Sequence, residues 1–189
     1  MITSQLEIIE QGQQYLNTVS TKDYTDIISP NFMSSAGSHM RHIIDHYLAI
    51  ITGLNNDFVD YDVRVRGSQL ESSPALAIDK LNEIAVWIKS LCEDELNQMI
   101  TLSTEVSVIN KNVQKVQTSV ARELVFAGSH AVHHYAMIAQ ISFAQQNILQ
   151  TKELPQYFGL APATATFLRK KGELPAATET KSLILGVNK

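Results

Sequence analysis

Apolar residues recur every three or four positions in four long segments of the chain, which is the spacing of amphipathic helices. The predicted helices span about residues 4–19, 35–54, 73–97 and 119–146. Ser34 or Ser35 can cap the second helix, and Ser73-Pro74 begins the third, with proline at a position where its missing N–H costs nothing. A shorter helix is predicted to end near Phe167.

The segments between these helices lack the helical spacing of apolar residues. Residues 100–108 and 113–118 alternate apolar and polar positions around turn residues 110–112, which predicts a β-hairpin. We interpret residues 58–67 as an extended connection rather than a core strand, and residues 20–32 as a loop. The pattern predicts an all-α fold, a four-helix bundle with a long connection between helices two and three and a possible small hairpin before the last helix.

Length and composition indicate one globular domain over residues 1–189, with a core from about 4 to 170 and a poorly packed polar tail after Gly172. The net charge of −4, with no basic run, argues against nucleic acid as a partner. No segment reaches the roughly 20 apolar residues of a membrane span, and residues 1–7 lack the pattern of a signal peptide, so we expect a cytoplasmic protein. The single cysteine, Cys92, excludes an intrachain disulfide.

All six histidines fall in two clusters, residues 39–46 and 130–134, each on a predicted helix. His130 and His134 are four residues apart and therefore share one helix face. That face also carries apolar residues, among them Phe126, Ala127 and Ile138. Since a buried imidazole needs a partner for both ring nitrogens, a shared cation is the simplest way to satisfy the pair.

The first cluster offers three candidates for a third ligand, and periodicity does not choose among them. His39, His42 and His46 lie together beside the main apolar stripe of their helix. Three protein ligands would leave one position open, as in catalytic zinc sites. Nitrogen ligands suit zinc, nickel, iron or copper.

These motifs resemble the DinB-like, or YfiT-type, family of metal-binding proteins. The resemblance rests on residues 35–46 near the start of helix two and residues 122–134 in the last long helix. It implies a four-helix bundle with a three-histidine metal site. In the family pattern, a histidine followed three residues later by aspartate maps onto His42 with Asp45, and a pair four apart maps onto His130 and His134. His46 and His39 remain alternates for the third ligand.

The resemblance implies a divalent metal ion, most simply zinc or nickel, and an enzyme that transfers low-molecular-weight thiols or hydrolyses a small-molecule substrate. Glu123 is a candidate for a base or outer-shell partner, and an acid that interacts with the helix dipole is an equally good interpretation. The alternative function is a non-catalytic metal-binding or dimeric, stress-associated helical protein.

Overall fold

The protein is described by a computed structural model that covers residues 1–63, 65–145 and 154–175. Within those ranges the chain is mostly helical and carries one small three-stranded sheet, so the helical class is confirmed. The helices are α1 Ile2–Thr18, α2 Thr21–Thr25, α3 Ala36–Asn56, α4 Pro74–Ser90, α5 Glu93–Asn97, α6 Val120–Gln145 and α7 Pro162–Lys170. The strands are β1 Phe58–Asp60, β2 Met99–Glu105 and β3 Val113–Ser119, and a short 3₁₀ turn spans Gln69–Glu71.

The four long helices contact one another in a closed cycle. Helix α3 packs against α6 and α4, and α1 packs against α4 and α6. Their facing sides supply most of a single core, which includes the fully buried rings of Tyr47 and Tyr135. Burial of these apolar faces is the dominant force that holds helices together in water. The contact between α3 and α6 is the most extensive of these, and it positions the two histidine clusters.

The predicted hairpin is confirmed, since β2 and β3 pair antiparallel with Ile100 opposite Thr118. Our interpretation of residues 58–67 was wrong at its start. Phe58–Asp60 forms a strand that pairs in parallel with β2, with Val59 opposite Leu102. The Val59 side chain is fully buried, because it fills the space between this strand and α3.

The third predicted helix was too long. It ends at Ser90, Leu91 is extended, and a separate short helix, α5, begins at Glu93. Three acids occupy the first turn of α5, where the helix dipole favours negative charge. The Glu95 carboxylate accepts a hydrogen bond from the backbone N–H of Cys92 at 2.9 Å, which favours a new helix start at this point. The short helix α2 was also missed within the predicted loop; Ser20 caps it.

The chain divides into two compact units, residues 1–159 and 160–189. In the second unit, the structure describes residues 160–175, where α7 begins with Pro162 and confirms the predicted short helix. The predicted polar tail falls mostly on residues 176–189, which lie outside the described residues. None of the described helices combines the length and apolar character needed to cross a bilayer.

Candidate metal centre

Helices α3 and α6 lie side by side and bring both histidine clusters to one place. His42 on α3 and His130 on α6 face each other, with 3.0 Å between their Nε2 atoms. On the next turn of α6, the Nε2 of His134 lies 3.0 Å from the same Nε2 of His130. The Nε2 atoms of His42 and His134 therefore each lie 3.0 Å from the Nε2 of His130, although 88 residues separate His42 from His130 in sequence.

His46 lies beside this group, one turn beyond His42 on α3. Its Nδ1 is 2.9 Å from the backbone carbonyl oxygen of His42, and because a carbonyl only accepts, Nδ1 carries the proton. The neutral ring then has its lone pair on Nε2. His42, His46 and His130 each offer a ring nitrogen within 4.8 Å of the others. His42, His46 and His130 could therefore hold an ion together, and His46 is an alternative to His134 as the third donor.

The two remaining histidines lie outside this central group. His39, one turn before His42, places its Nδ1 2.8 Å from the Nδ1 of His134, on the other side of the His134 ring. His133 is exposed, and its ring packs edge-on against His134 with centroids 5.2 Å apart. The structure thus brings together all the histidines that the sequence offered as ligands. Which three of them bind an ion remains a prediction.

Helical periodicity predicts that the face carrying His130 and His134 turns toward the interior, with both histidines near the middle of its apolar stripe, and the structure differs from this in detail. The buried face of α6 is centred on Ala127, Ala131 and Ile138, and both histidines are half-buried at its border. Phe126 is half-buried as well, and its ring stacks on His130. The cluster is therefore partly accessible to solvent, as a site that admits a small molecule needs to be.

The donor arrangement fits a metal ion better than hydrogen bonds alone. The Nε2 of a neutral imidazole has either one proton or one lone pair in the ring plane, so His130 Nε2 cannot form a strong linear hydrogen bond to both His42 and His134. A cation accepts lone pairs from all three nitrogens at once. With bonds of 2.0–2.1 Å to a tetrahedral ion, neighbouring nitrogens lie about 3.3 Å apart, which is close to the 3.0 Å found for the His42–His130 pair and for the His130–His134 pair.

The electrostatics favour the neutral form of His134 and of His39, and the neutral imidazole is the form that binds metals. Partial burial, followed by the nearby His130, lowers the pKa of His134 to about 3. Partial burial, followed by the charge of His133, also lowers the pKa of His39. Like-charged neighbours and desolvation both penalise the imidazolium form. Both rings therefore keep a lone pair at neutral pH.

Glu123 is fully buried two turns before His130, and its carboxylate is held by hydrogen bonds rather than directed at a ring nitrogen. It accepts from the Tyr61 hydroxyl at 2.7 Å, the Thr118 hydroxyl at 2.6 Å and the Arg122 guanidinium at 2.8 Å. These contacts fit a structural anchor better than a general base.

Tyr61 links this anchor to the cluster, and sequence reasoning missed it as a site residue. Its ring stacks on His46 with centroids 4.8 Å apart, while its hydroxyl is bound to Glu123. Burial, reinforced by the Glu123 carboxylate, raises the pKa of Tyr61 far above its usual value, so the hydroxyl stays protonated and donates. Tyr61 lies in the segment that we interpreted as a connection, so its burial could be deduced only from the pairing of β1.

Asp45, which the family pattern associates with His42, is bound to a different residue. Its carboxylate accepts from Arg41 at 2.7 Å, and the same guanidinium donates to Glu71 at 2.9 Å. Glu71 also accepts from the backbone N–H of Gly67. This partly buried network ties the 3₁₀ turn to α3 beside the histidines.

A cleft of about 600 Å³ lies on a neighbouring face of α3. Residues of α3 form one wall, and residues of β1 and the segment after it form the other; they are Asp45, Leu48, Ala49, Thr52, Asn56, Phe58, Asp60, Val63 and Val65. The lining includes none of the six histidines. The cleft and the histidine cluster are therefore separate features of this part of α3.

Comparison with solved structures shows that the fold is DinB-like. A DinB-like protein of Bacillus subtilis, YjoA, superposes with a TM-score of 0.58 over 83% of this chain and 96% of that one, at 15% sequence identity. At this identity the likeness concerns the fold. It agrees with the family resemblance found in the histidine motifs.

Comparison with protein sequences finds a relative that shares part of the chain. No family model matches the chain. A curated relative, FK506-binding protein 5 of Rhizopus delemar, is 30% identical over 122 residues, which are 65% of this chain. The alignment spans 29% of that protein, so the chain corresponds to less than a third of its length.

Proposed function

We propose that this protein holds one divalent metal ion between α3 and α6 and uses it in chemistry on a small molecule. The observation that carries the proposal is the gathering of the Nε2 atoms of His42 and His134 around that of His130. These three residues are the ligands that we propose. The support is geometric and chemical: a His134 imidazole that stays neutral, partial solvent access and two helices packed against each other that hold the donors in place.

The proposed metal centre leads to further proposals about the helix arrangement, the metal and the reaction. We regard α1, α3, α4 and α6 as a four-helix bundle, with the ligands projecting from two neighbouring helices. Zinc or nickel suits an all-imidazole donor set, and iron or copper would also be accepted. An ion bound here would acidify a coordinated thiol or water and so supply a nucleophile at neutral pH. We propose thiol transfer as the first reaction class and hydrolysis as the second.

The chain's own residues would orient and shield the centre. Phe126 and Tyr61 stack on His130 and His46, which fixes these rings and covers one side of the cluster. The Glu123 carboxylate accepts a 2.7 Å hydrogen bond from the Tyr61 hydroxyl and so holds the Tyr61 ring in position against His46. No proton transfer by Glu123 is needed.

The position of His46, close to His42 and His130, favours a second candidate function. A fourth imidazole within 4.8 Å of two others could close the coordination sphere, and closed four-ligand sites are structural rather than catalytic. The protein would then be a non-catalytic metal-binding helical protein.

Turnover separates the two functions. Untagged protein, loaded with zinc or nickel, is assayed with a low-molecular-weight thiol and an electrophile, and in parallel with ester and amide substrates. We expect thiol consumption that disappears after chelation and returns on adding the ion back. His133→Ala, which alters an exposed histidine, is the matched control and should retain activity. Full metal occupancy without turnover of any substrate would support the non-catalytic function instead.

A further inference from the structure

His134 is approached on both of its ring nitrogens. Its Nε2 lies 3.0 Å from the Nε2 of His130, inside the cluster. Its Nδ1 lies 2.8 Å from the Nδ1 of His39, outside the cluster. The second distance is that of a good hydrogen bond, and one of the two Nδ1 atoms must be the donor.

A neutral imidazole carries a single proton, so the partner on one nitrogen determines what the other can do. If Nδ1 of His134 is protonated and donates to His39, then Nε2 keeps its lone pair and can bind a cation. If His39 is the donor, then Nε2 of His134 is protonated and cannot. In metalloproteins the non-ligating nitrogen usually donates to a carboxylate or a backbone carbonyl. Here the group in that position is a second imidazole.

From this geometry we propose that His39 is a positioning residue: it accepts the Nδ1 proton of His134 and thereby directs the Nε2 lone pair of His134 toward His42 and His130. His39 then acts through His134 and is not itself a ligand. The part of this proposal that concerns metal affinity rests on the proposed function, whereas the choice of tautomer does not.

The start of α3 holds His39 in place for this role. Ser35 caps the helix and accepts the backbone N–H of Ser38 at 3.1 Å. Gly37 lies directly against the backbone carbonyl of Glu71, where a Cβ atom would come within 2.1 Å of the oxygen. The first turn of α3 is therefore fixed to the 3₁₀ turn, and His39 follows within that same turn.

The direct test is the tautomer of His134 in the metal-free protein. Long-range ¹H–¹⁵N correlation spectra at pH 8, with His134 assigned through His134→Gln, report which ring nitrogen is protonated. We expect the Nδ1–H tautomer in the wild type. We expect it also in His39→Asn, where the amide oxygen replaces the accepting nitrogen. In His39→Ala the acceptor is gone, and a change to Nε2–H is expected.

Metal affinity supplies the second readout. Zinc titration should show affinity about 10- to 100-fold weaker in His39→Ala, as is usual when an outer-shell partner is lost, and a partial recovery in His39→Asn. His133→Ala is the matched control and should bind as the wild type does.

The outcomes are distinct. An Nε2–H tautomer of His134 in the wild type, or an unchanged tautomer in His39→Ala, overturns the positioning role, and the wild-type spectrum decides this even if a variant fails to fold. A second zinc equivalent that requires His39 would also overturn it, because His39 would then be a ligand. If no form binds zinc while the tautomers behave as expected, the proposed function fails and the positioning role stands.

Discussion

His130 is the central donor of the cluster, since its Nε2 is 3.0 Å from nitrogens on both sides. The helical spacing of four residues predicted that His130 and His134 would meet, because such positions share a face. Spacing could not choose among His39, His42 and His46, which lie on one side of α3. The choice depends on how α3 is rotated against α6, and that rotation is set by packing along the whole interface.

Removal of single imidazoles shows whether His134 or His46 completes the metal site with His42 and His130. We expect His134→Ala to weaken zinc binding by more than the roughly 10- to 100-fold typical of an outer-shell partner, and His46→Ala to weaken it less. Isothermal titration with zinc at pH 7.5 measures both. A larger loss in His46→Ala than in His134→Ala would show that His42, His46 and His130 form the triad.

Glu123 is expected to stabilise the fold rather than catalyse. In Glu123→Gln the amide keeps one acceptor but loses the charge that three donors share, so unfolding should become easier by about 1–3 kcal/mol. Urea denaturation measures this. Tyr61→Phe, which keeps the ring that stacks on His46 and removes one hydrogen bond, is the milder comparison. If Glu123→Gln abolishes turnover in fully folded, metal-loaded protein, Glu123 has a chemical role.

Among the elements, the helices and the hairpin could be predicted because each depends on a pattern of apolar and polar residues within its own segment of the sequence. The spacing of apolar residues gave α1, α3 and α6 to within a few residues, and alternation gave β2 and β3. Strand β1 could not be found this way. It has three residues and pairs with a strand more than 40 positions later, so only the folded chain provides its partner.

The contact between the first turn of α3 and the 3₁₀ turn is close enough to test by adding one methyl group. Gly37→Ala would place a Cβ atom 2.1 Å from the Glu71 carbonyl oxygen, which is backbone and cannot rotate away. We expect a loss of about 1–3 kcal/mol in the free energy of unfolding, as in other overpacked sites. Thermal and urea unfolding measure it, with the exposed Asn55→Ala in the same helix as the control. An unchanged stability would show that the two elements are not held together as described.

For the whole molecule, an ion that bridges two helices should couple binding to stability. A ligand that binds only the folded state at 100 times its dissociation constant adds about 2.7 kcal/mol. In a chain of this size that corresponds to a rise in Tm of roughly 5–10 °C. Differential scanning calorimetry with and without zinc measures the shift, which should vanish in His42→Ala. An equal shift in that variant would place the stabilising ion elsewhere.

The most direct measurement is metal content together with X-ray absorption at the metal edge, on untagged protein that has been loaded and then desalted. We expect about one equivalent of zinc or nickel, with imidazole nitrogens at about 2.0–2.1 Å for zinc, and loss of both signals in His130→Ala. Absence of bound metal in the wild type, or full occupancy with the same spectrum in His130→Ala, would contradict a metal centre shared by α3 and α6.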